Sequence, residues 1–229
     1  MPRPGGSAAI FLHRHPYPPL IPQGATRLIV GTLPPPRFSV GKLRDRDVDF
    51  CYGSCDGQLW PVLDRLFSLG LRYDNSAAAV KERLAFLRRE GIGICDIVAS
   101  CRRQRMDAAD ITMQDIVLRD LVATLRRHHS IAMVLFTGGN SKNGPEYLFR
   151  RQLAAHKLVL EPLDGGPPRR HRLHLDGREV VTVSLISPSS AANRAIGARE
   201  EYRRRRAEDP SYTPFDFRLA QYRQVFLPG

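Results

Sequence analysis

The chain opens on a Pro-rich stretch without regular alternation (Pro16, Pro18, Pro19, Pro22), and residues 1–26 read as an extended arm laid on the domain that follows. Short apolar runs come next, each ending at glycine, proline or charge. Arg27-Leu28-Ile29-Val30 runs straight into Gly31-Thr32-Leu33-Pro34-Pro35-Pro36, which predicts a buried strand ending in a stiff loop. Ile92–Val98 and Ile131–Phe136 have the same character, the latter stopping at Thr137-Gly138-Gly139. Between these runs the apolar positions recur every three to four residues. Leu59, Val62, Leu63, Leu66 and Phe67 form one helical face, and Val80, Leu84 and Leu87 form another that Gly91 ends. Ile116, Leu118, Leu121, Val122 and Leu125 predict a helix over 116–127. Residues 143–155 read as a helix entered at Gly144-Pro145. Leu158–Leu160 and Arg172–Val183 read as strands around a Gly165-Gly166-Pro167-Pro168 turn, and Phe215–Phe226 as a closing helix. Residues 37–50 are charged and aperiodic, so a flexible segment is expected there.

Strands alternating with helices predict a single α/β domain over 27–229, a central, mostly parallel sheet flanked by helices. Such folds bind ligands outside the carboxyl ends of their strands. Three loops follow buried strands: Gly31–Pro36, Asp96–Arg103 and Ser187–Asn193. The first is stiffened by proline. The second places a carboxylate at an apolar strand end, where burial is costly without a partner. The third is Ser-rich and opens a helix, which suits phosphate. Taken singly, each also fits an ordinary turn, a loop carboxylate paired with Arg102, or an N-cap.

Composition adds a partner. Lys and Arg number 35 against 23 Asp and Glu, a formal net charge of +12. That excess suits a polyanion such as DNA, because cationic side chains displace the counterions condensed on phosphate; an Arg-rich codon bias gives the same excess. No apolar run reaches the roughly 18–20 residues of a membrane span. Met1–Ser7 lacks a charged-then-apolar leader, so a cytoplasmic setting with reduced thiols is expected, in a bacterial-type protein that acts on the nucleoid as a monomer.

The order and spacing of these segments resemble the uracil-DNA glycosylase superfamily, nearest its mismatch-specific and hypoxanthine-DNA glycosylase branch. Gly31-Thr32-Leu33-Pro34-Pro35 resembles the first motif, of form Gly-x-x-Pro, and Leu185-Ile186-Ser187-Pro188-Ser189 the second. Asp49–Pro61, with Tyr52-Gly53-Ser54 and Trp60-Pro61, and Gly91–Cys101 resemble segments of that branch. The resemblance spans roughly Leu28–Asn193 and implies a three-layer α/β fold and a monofunctional DNA N-glycosylase that flips a nucleotide into a pocket. It implies base contacts from Gly31, Thr32, Leu33, Tyr52 and Ser187. DNA contacts would come from Pro34, Pro35, Arg102, Arg103, Ser189, Ser190 and Asn193. Tyr52 is then a stacking ring or, alternatively, a core aromatic.

Asp96 falls where relatives carry an edge-reading residue. The sequence departs from the family pattern at Leu33, where many members have Asp or Asn, and at Gly57, where the branch has Asn. Asp56, Asp96 and Gln58 are the candidates to replace those catalytic groups, with Asp56 equally readable as a solvated turn residue. Ser187 stands where other branches have His or Asn. Cys51, Cys55, Cys95 and Cys101 lack common ligand spacing, so buried thiols are expected rather than a metal, and no cofactor is implied. Arg102-Arg103-Gln104-Arg105 and Arg203–Arg206 are basic runs able to grip DNA backbone, or in the second case a solvated helix face. Two rival classes stay open. One is a DNA-binding protein that keeps the fold with altered catalysis; the other is an enzyme on free nucleosides or nucleotides.

Overall fold

Strands that are apolar throughout must be covered on both faces, and that requirement organises this molecule into three layers. The computed structural model describes residues 11–104 and 109–227. Its strands are β1 (Phe11–Arg14), β2 (Arg27–Gly31), β3 (Ile92–Asp96), β4 (Val98–Arg103), β5 (Gln114–Leu118), β6 (Met133–Phe136), β7 (Glu161–Leu163), β8 (Arg169–Leu175) and β9 (Arg178–Ser184). Its helices are α1 (Pro36–Ser39), α2 (Leu59–Phe67), α3 (Ala77–Arg89), α4 (Leu121–Arg127), α5 (Pro145–Ala155), α6 (Asn193–Gly197), α7 (Glu200–Glu208) and α8 (Pro214–Phe226).

The central sheet has the order β3-β2-β6-β9-β8-β7, with β3, β2, β6 and β9 parallel and β8 and β7 antiparallel. Side chains alternate across it. Ile29, Ile94, Leu135 and Val183 pack on one side with Leu59, Trp60 and Leu63 of α2, Phe86 and Leu87 of α3, and Tyr222 and Phe226 of α8. Leu28, Val30, Val134 and Phe136 pack on the other side with Leu121 and Leu125 of α4 and Leu148, Phe149 and Leu153 of α5. Gly91 follows α3 with φ +59°, the left-handed residue that a helix C-terminus favours.

A second, antiparallel sheet has the order β1-β4-β5. β1 comes from the N-terminal stretch and pairs Phe11 with Arg103 through to Arg14 with Ser100. Leu20 then exchanges backbone hydrogen bonds with Ile94, at 3.0 and 2.8 Å, on the outer edge of β3. Residues 1–10 and Arg105 of the basic run lie outside the described residues.

Three expectations need correction. The predicted helix over 116–127 is a strand and then a helix: β5 pairs with β4, and α4 begins only after Asp120, whose side chain accepts the Ala123 N–H at 2.8 Å. Ile116 and Leu118 point inward with Val117 exposed between them, a period of two that also satisfied the helical template. The strand expected at Leu158–Leu160 lies at Glu161–Leu163, and Arg172–Val183 is a hairpin folded at Asp176-Gly177, both with positive φ.

The third correction concerns residues 37–50. They begin with α1 and are pinned by Asp47, which is fully buried. Its carboxylate accepts two hydrogen bonds from Arg37, at 2.7 and 2.8 Å, and the backbone N–H groups of Arg44 and Cys55 at 2.9 and 2.8 Å. Burial alone would raise the Asp47 pKa, but Arg37 and the backbone donors outweigh it and hold the carboxyl well below the usual carboxylate range. Asp47→Asn is therefore expected to cost about 3 kcal/mol in urea unfolding at neutral pH, as for other buried pairs broken on one side. A depressed carboxyl stabilises the fold above the unfolded pKa of about 4 and loses that contribution as pH falls through the folded value. The deficit of the variant should thus shrink in acid.

Candidate active site

The carboxyl ends of β2, β3, β6 and β9 deliver Gly31, Asp96, Phe136 and Ser184 to one edge of the sheet. Beside them opens a cleft of about 1010 Å³. Thr32, Tyr52, Gln58, Asp96, Asp110, Thr137 and Ser187 are among its walls.

Asp96 is buried at the end of β3. Its Oδ2 accepts a hydrogen bond from His15 Nε2 at 2.8 Å. His15 Nδ1 accepts the backbone N–H of Tyr17 at 3.0 Å, which fixes the proton on Nε2. The arm thus orients the carboxylate, and among the described residues no donor is assigned to Oδ1. Tyr52 has φ +57°, and its hydroxyl lies 3.0 Å from Thr137 Oγ1. Burial, with the Asp96 charge adding to it, pushes the Tyr52 phenol well above its ordinary pKa. The phenol is therefore a neutral group in the wall of the cleft.

Gly31 lies between the two. A Cβ at this position would collide with both Tyr52 Oη and Asp96 Oδ1, so the close approach requires glycine. Gly31→Ala is expected to cost about 1–3 kcal/mol in stability, readable as a lower urea midpoint, because neither neighbour can retreat from the packed wall.

The loops after β2 and β9 meet a third segment here. Gln58 N–H donates to Pro188 O at 2.7 Å, Gly57 bridges to Ser189, and Ser190 Oγ donates to Asp56 O at 3.0 Å. Beneath them lies Arg218 of α8, completely buried. Its guanidinium donates to Ser187 O at 3.0 Å, Ser189 O at 3.4 Å, Asn193 Oδ1 at 3.0 Å and Gln58 Oε1. Holding Oε1 commits the Gln58 amide to one orientation, and among the described residues no acceptor is assigned to its NH₂.

The fold has a counterpart among solved structures. The solution NMR structure of a "putative Uracil DNA glycosylase" from Methanosarcina acetivorans aligns with a TM-score of 0.55, covering 94% of this chain and 97% of that one at 16% sequence identity. The fold is uracil-DNA-glycosylase-like. No protein-family model and no curated protein matches the sequence.

On this fold the candidate residues divide into three groups. Thr32, Leu33, Pro34, Pro35, Tyr52, Gln58, Asp96, Ser187, Ser189 and Ser190 all border the cleft, and Gly31 packs against two of them, Tyr52 and Asp96. Asp56 lies at its rim; its side chain is 57% exposed and meets Arg44 at 2.8 Å and Arg37 at 3.4 Å. Asn193, Arg102 and Arg103 do not line the cleft. Asn193 is committed to Arg218, and exposed Arg102 lies 3.7 Å from Asp115. Arg103, expected at DNA, is instead buried, and its guanidinium donates to His13 Nδ1 at 3.0 Å and to Ala109 O and Thr112 Oγ1 at 2.6 Å. Its partners are protein groups because β4 turns that face inward.

Cys51, Cys95 and Cys101 are buried, whereas Cys55 is exposed. Arg203–Arg206 fall on α7, where Arg205 pairs with Glu201 at 3.1 Å and Arg206 donates to Tyr202 Oη at 2.9 Å. No described helix is long and apolar enough to cross a membrane. Sequence reasoning missed His15, Asp110, Thr137 and Arg218.

Proposed function

We propose that this protein is a DNA N-glycosylase that excises a damaged, deaminated or modified base by flipping the nucleotide and hydrolysing its N-glycosidic bond. One observation carries the reading: the two loops that resemble glycosylase motifs, together with Asp96, Gln58 and Tyr52, surround a single cleft at the carboxyl ends of the parallel strands. A cleft of that size accepts an extruded nucleotide.

In this reading the base enters the cleft beside the Gly31–Pro36 loop and stacks on the Tyr52 ring. Asp96 Oδ1 accepts a hydrogen bond from the base edge, and its negative charge favours an oxocarbenium-like sugar at C1′. The Gln58 NH₂ donates to the base as the C1′–N electron pair leaves with it. Ser187, Ser189 and Ser190 border the phosphates, and Arg199, which borders the cleft just before α7, adds positive charge. Asp56 acts at the rim through its arginine pairs. Asp56→Ala is expected to lower the rate less than tenfold, since the exposed carboxylate is already engaged.

The test is release of free base from oligonucleotides carrying uracil, hypoxanthine, xanthine or an alkylated base, compared with the matching nucleosides. Excision from DNA, with affinity that falls steeply with salt, supports the reading. Cleavage of nucleosides alone would replace it with a nucleoside hydrolase.

A further inference from the structure

The Gly31–Pro36 loop contains no carboxylate, yet one is brought to it from elsewhere in the chain. Asp110 begins a short 3-10 turn (Asp110–Thr112) between β4 and β5 and borders the same cleft as Asp96. Thr32 Oγ1 donates to Asp110 Oδ2 at 3.1 Å. Asn143 Nδ2 donates to the Asp110 backbone carbonyl at 3.0 Å, and Asn143 is itself buried with φ +62°. Arg103 holds the preceding carbonyl of Ala109, so the turn is fixed by Thr32, Asn143 and Arg103 together. Among the described residues no donor is assigned to Oδ1.

We propose that Asp110 is the general base of the reaction, the group that takes the proton from the attacking water. The inference rests on the glycosylase reading given above. As the C1′–N bond breaks, its electron pair leaves with the base. The water oxygen bonds to C1′, its proton passes to Asp110 Oδ1, and that proton then neutralises the departed base. The products are free base and an abasic sugar, and the carboxylate is restored.

The environment suits the task. Burial pushes the Asp110 carboxyl up to about 6, opposed by the Thr32 hydrogen bond and the Arg103 charge and assisted by the Asp96 charge. A base of that strength is ionised at neutral pH yet strong enough to accept a proton in the transition state. Asp96, already tied to His15, holds its charge near the sugar while Asp110 handles the proton. Two carboxyl groups in different environments thus take different roles.

The experiment is single-turnover excision against pH, on oligonucleotides carrying uracil, hypoxanthine, xanthine or an alkylated base. The wild-type rate should climb about tenfold per pH unit in acid and level off above about 6. Asp110→Asn, which preserves shape, should slow excision by about 100-fold near neutral pH and abolish that acid limb, with DNA affinity unchanged. Thr32→Val removes the donor to Oδ2 and should move the limb to higher pH, a shift that a purely structural role would not produce; Thr32→Ser should return it. An Asp110→Asn enzyme with the wild-type rate and limb would overturn the assignment and leave the glycosylase reading standing. A limb that Thr32→Val leaves in place would overturn it as well, independently of how Asp110→Asn folds. A wild-type protein that releases no base from any oligonucleotide would overturn both.

Discussion

Asp96→Ala should slow base release from a damaged oligonucleotide by about a hundredfold to a thousandfold, while the Kd for that oligonucleotide stays nearly the same. The carboxylate is buried, its Oδ2 is fixed by His15, and its Oδ1 lies against Gly31 and Tyr52 at the cleft. Such a preoriented charge is worth most where sugar charge develops, and it contributes little to holding phosphates. His15→Ala should give a smaller loss in the same direction, because it frees the carboxylate to rotate without removing it. Single-turnover excision and fluorescence anisotropy on the same oligonucleotide separate the two quantities. Equal losses in rate and affinity would assign Asp96 to binding alone.

Arg218→Met should destabilise the fold by about 3–5 kcal/mol in urea unfolding, the cost of removing one partner from a buried, hydrogen-bonded charged group. Four acceptors lose their donor at once: Ser187 O, Ser189 O, Asn193 Oδ1 and Gln58 Oε1. These acceptors belong to two of the loops that form the cleft, so excision should fall further than stability predicts when assayed well below the unfolding transition. Arg218→Lys should not restore either property, since an ammonium cannot present the planar fork that spans the four oxygens.

The layers of this fold were legible because the runs Leu28–Val30, Ile92–Cys95 and Val134–Phe136 are apolar throughout and end at Gly31, Asp96 and Thr137-Gly138. The boundary near residue 118 was not. Ile116, Leu118, Leu121 and Leu125 satisfy a helical template, and the cap at Asp120 looks like any other surface aspartate until its side chain is seen to bind Ala123 N–H. The loops at the strand ends were legible as places, since topology alone brings them together. The groups that orient them were not. His15 reaches Asp96 across 81 positions and Arg218 reaches Gln58 across 160, and no local pattern encodes such pairings. Arg103 shows the same gap: in sequence it is one of a basic run, whereas its burial follows from the alternation of β4, which turns Arg102 outward and Arg103 inward.

The order of the segments was informative at the level of the fold, which agrees with the solved glycosylase-like structure at 16% identity. The apolar Leu33 looked like a missing catalytic group when read along the chain. In space, the neighbouring Thr32 carries the carboxyl of Asp110, a residue 78 positions away.

The most direct test is mass-spectrometric detection of free base after incubating the wild-type protein with oligonucleotides that each carry one damaged or deaminated base. Alkaline cleavage of the abasic site left behind serves as the second readout. One dominant released base is expected, matched by strand cleavage after alkali, with both signals lost in Asp96→Ala. DNA binding without release of any base, or release undiminished in Asp96→Ala, would contradict the assignment of this cleft as a glycosylase active site.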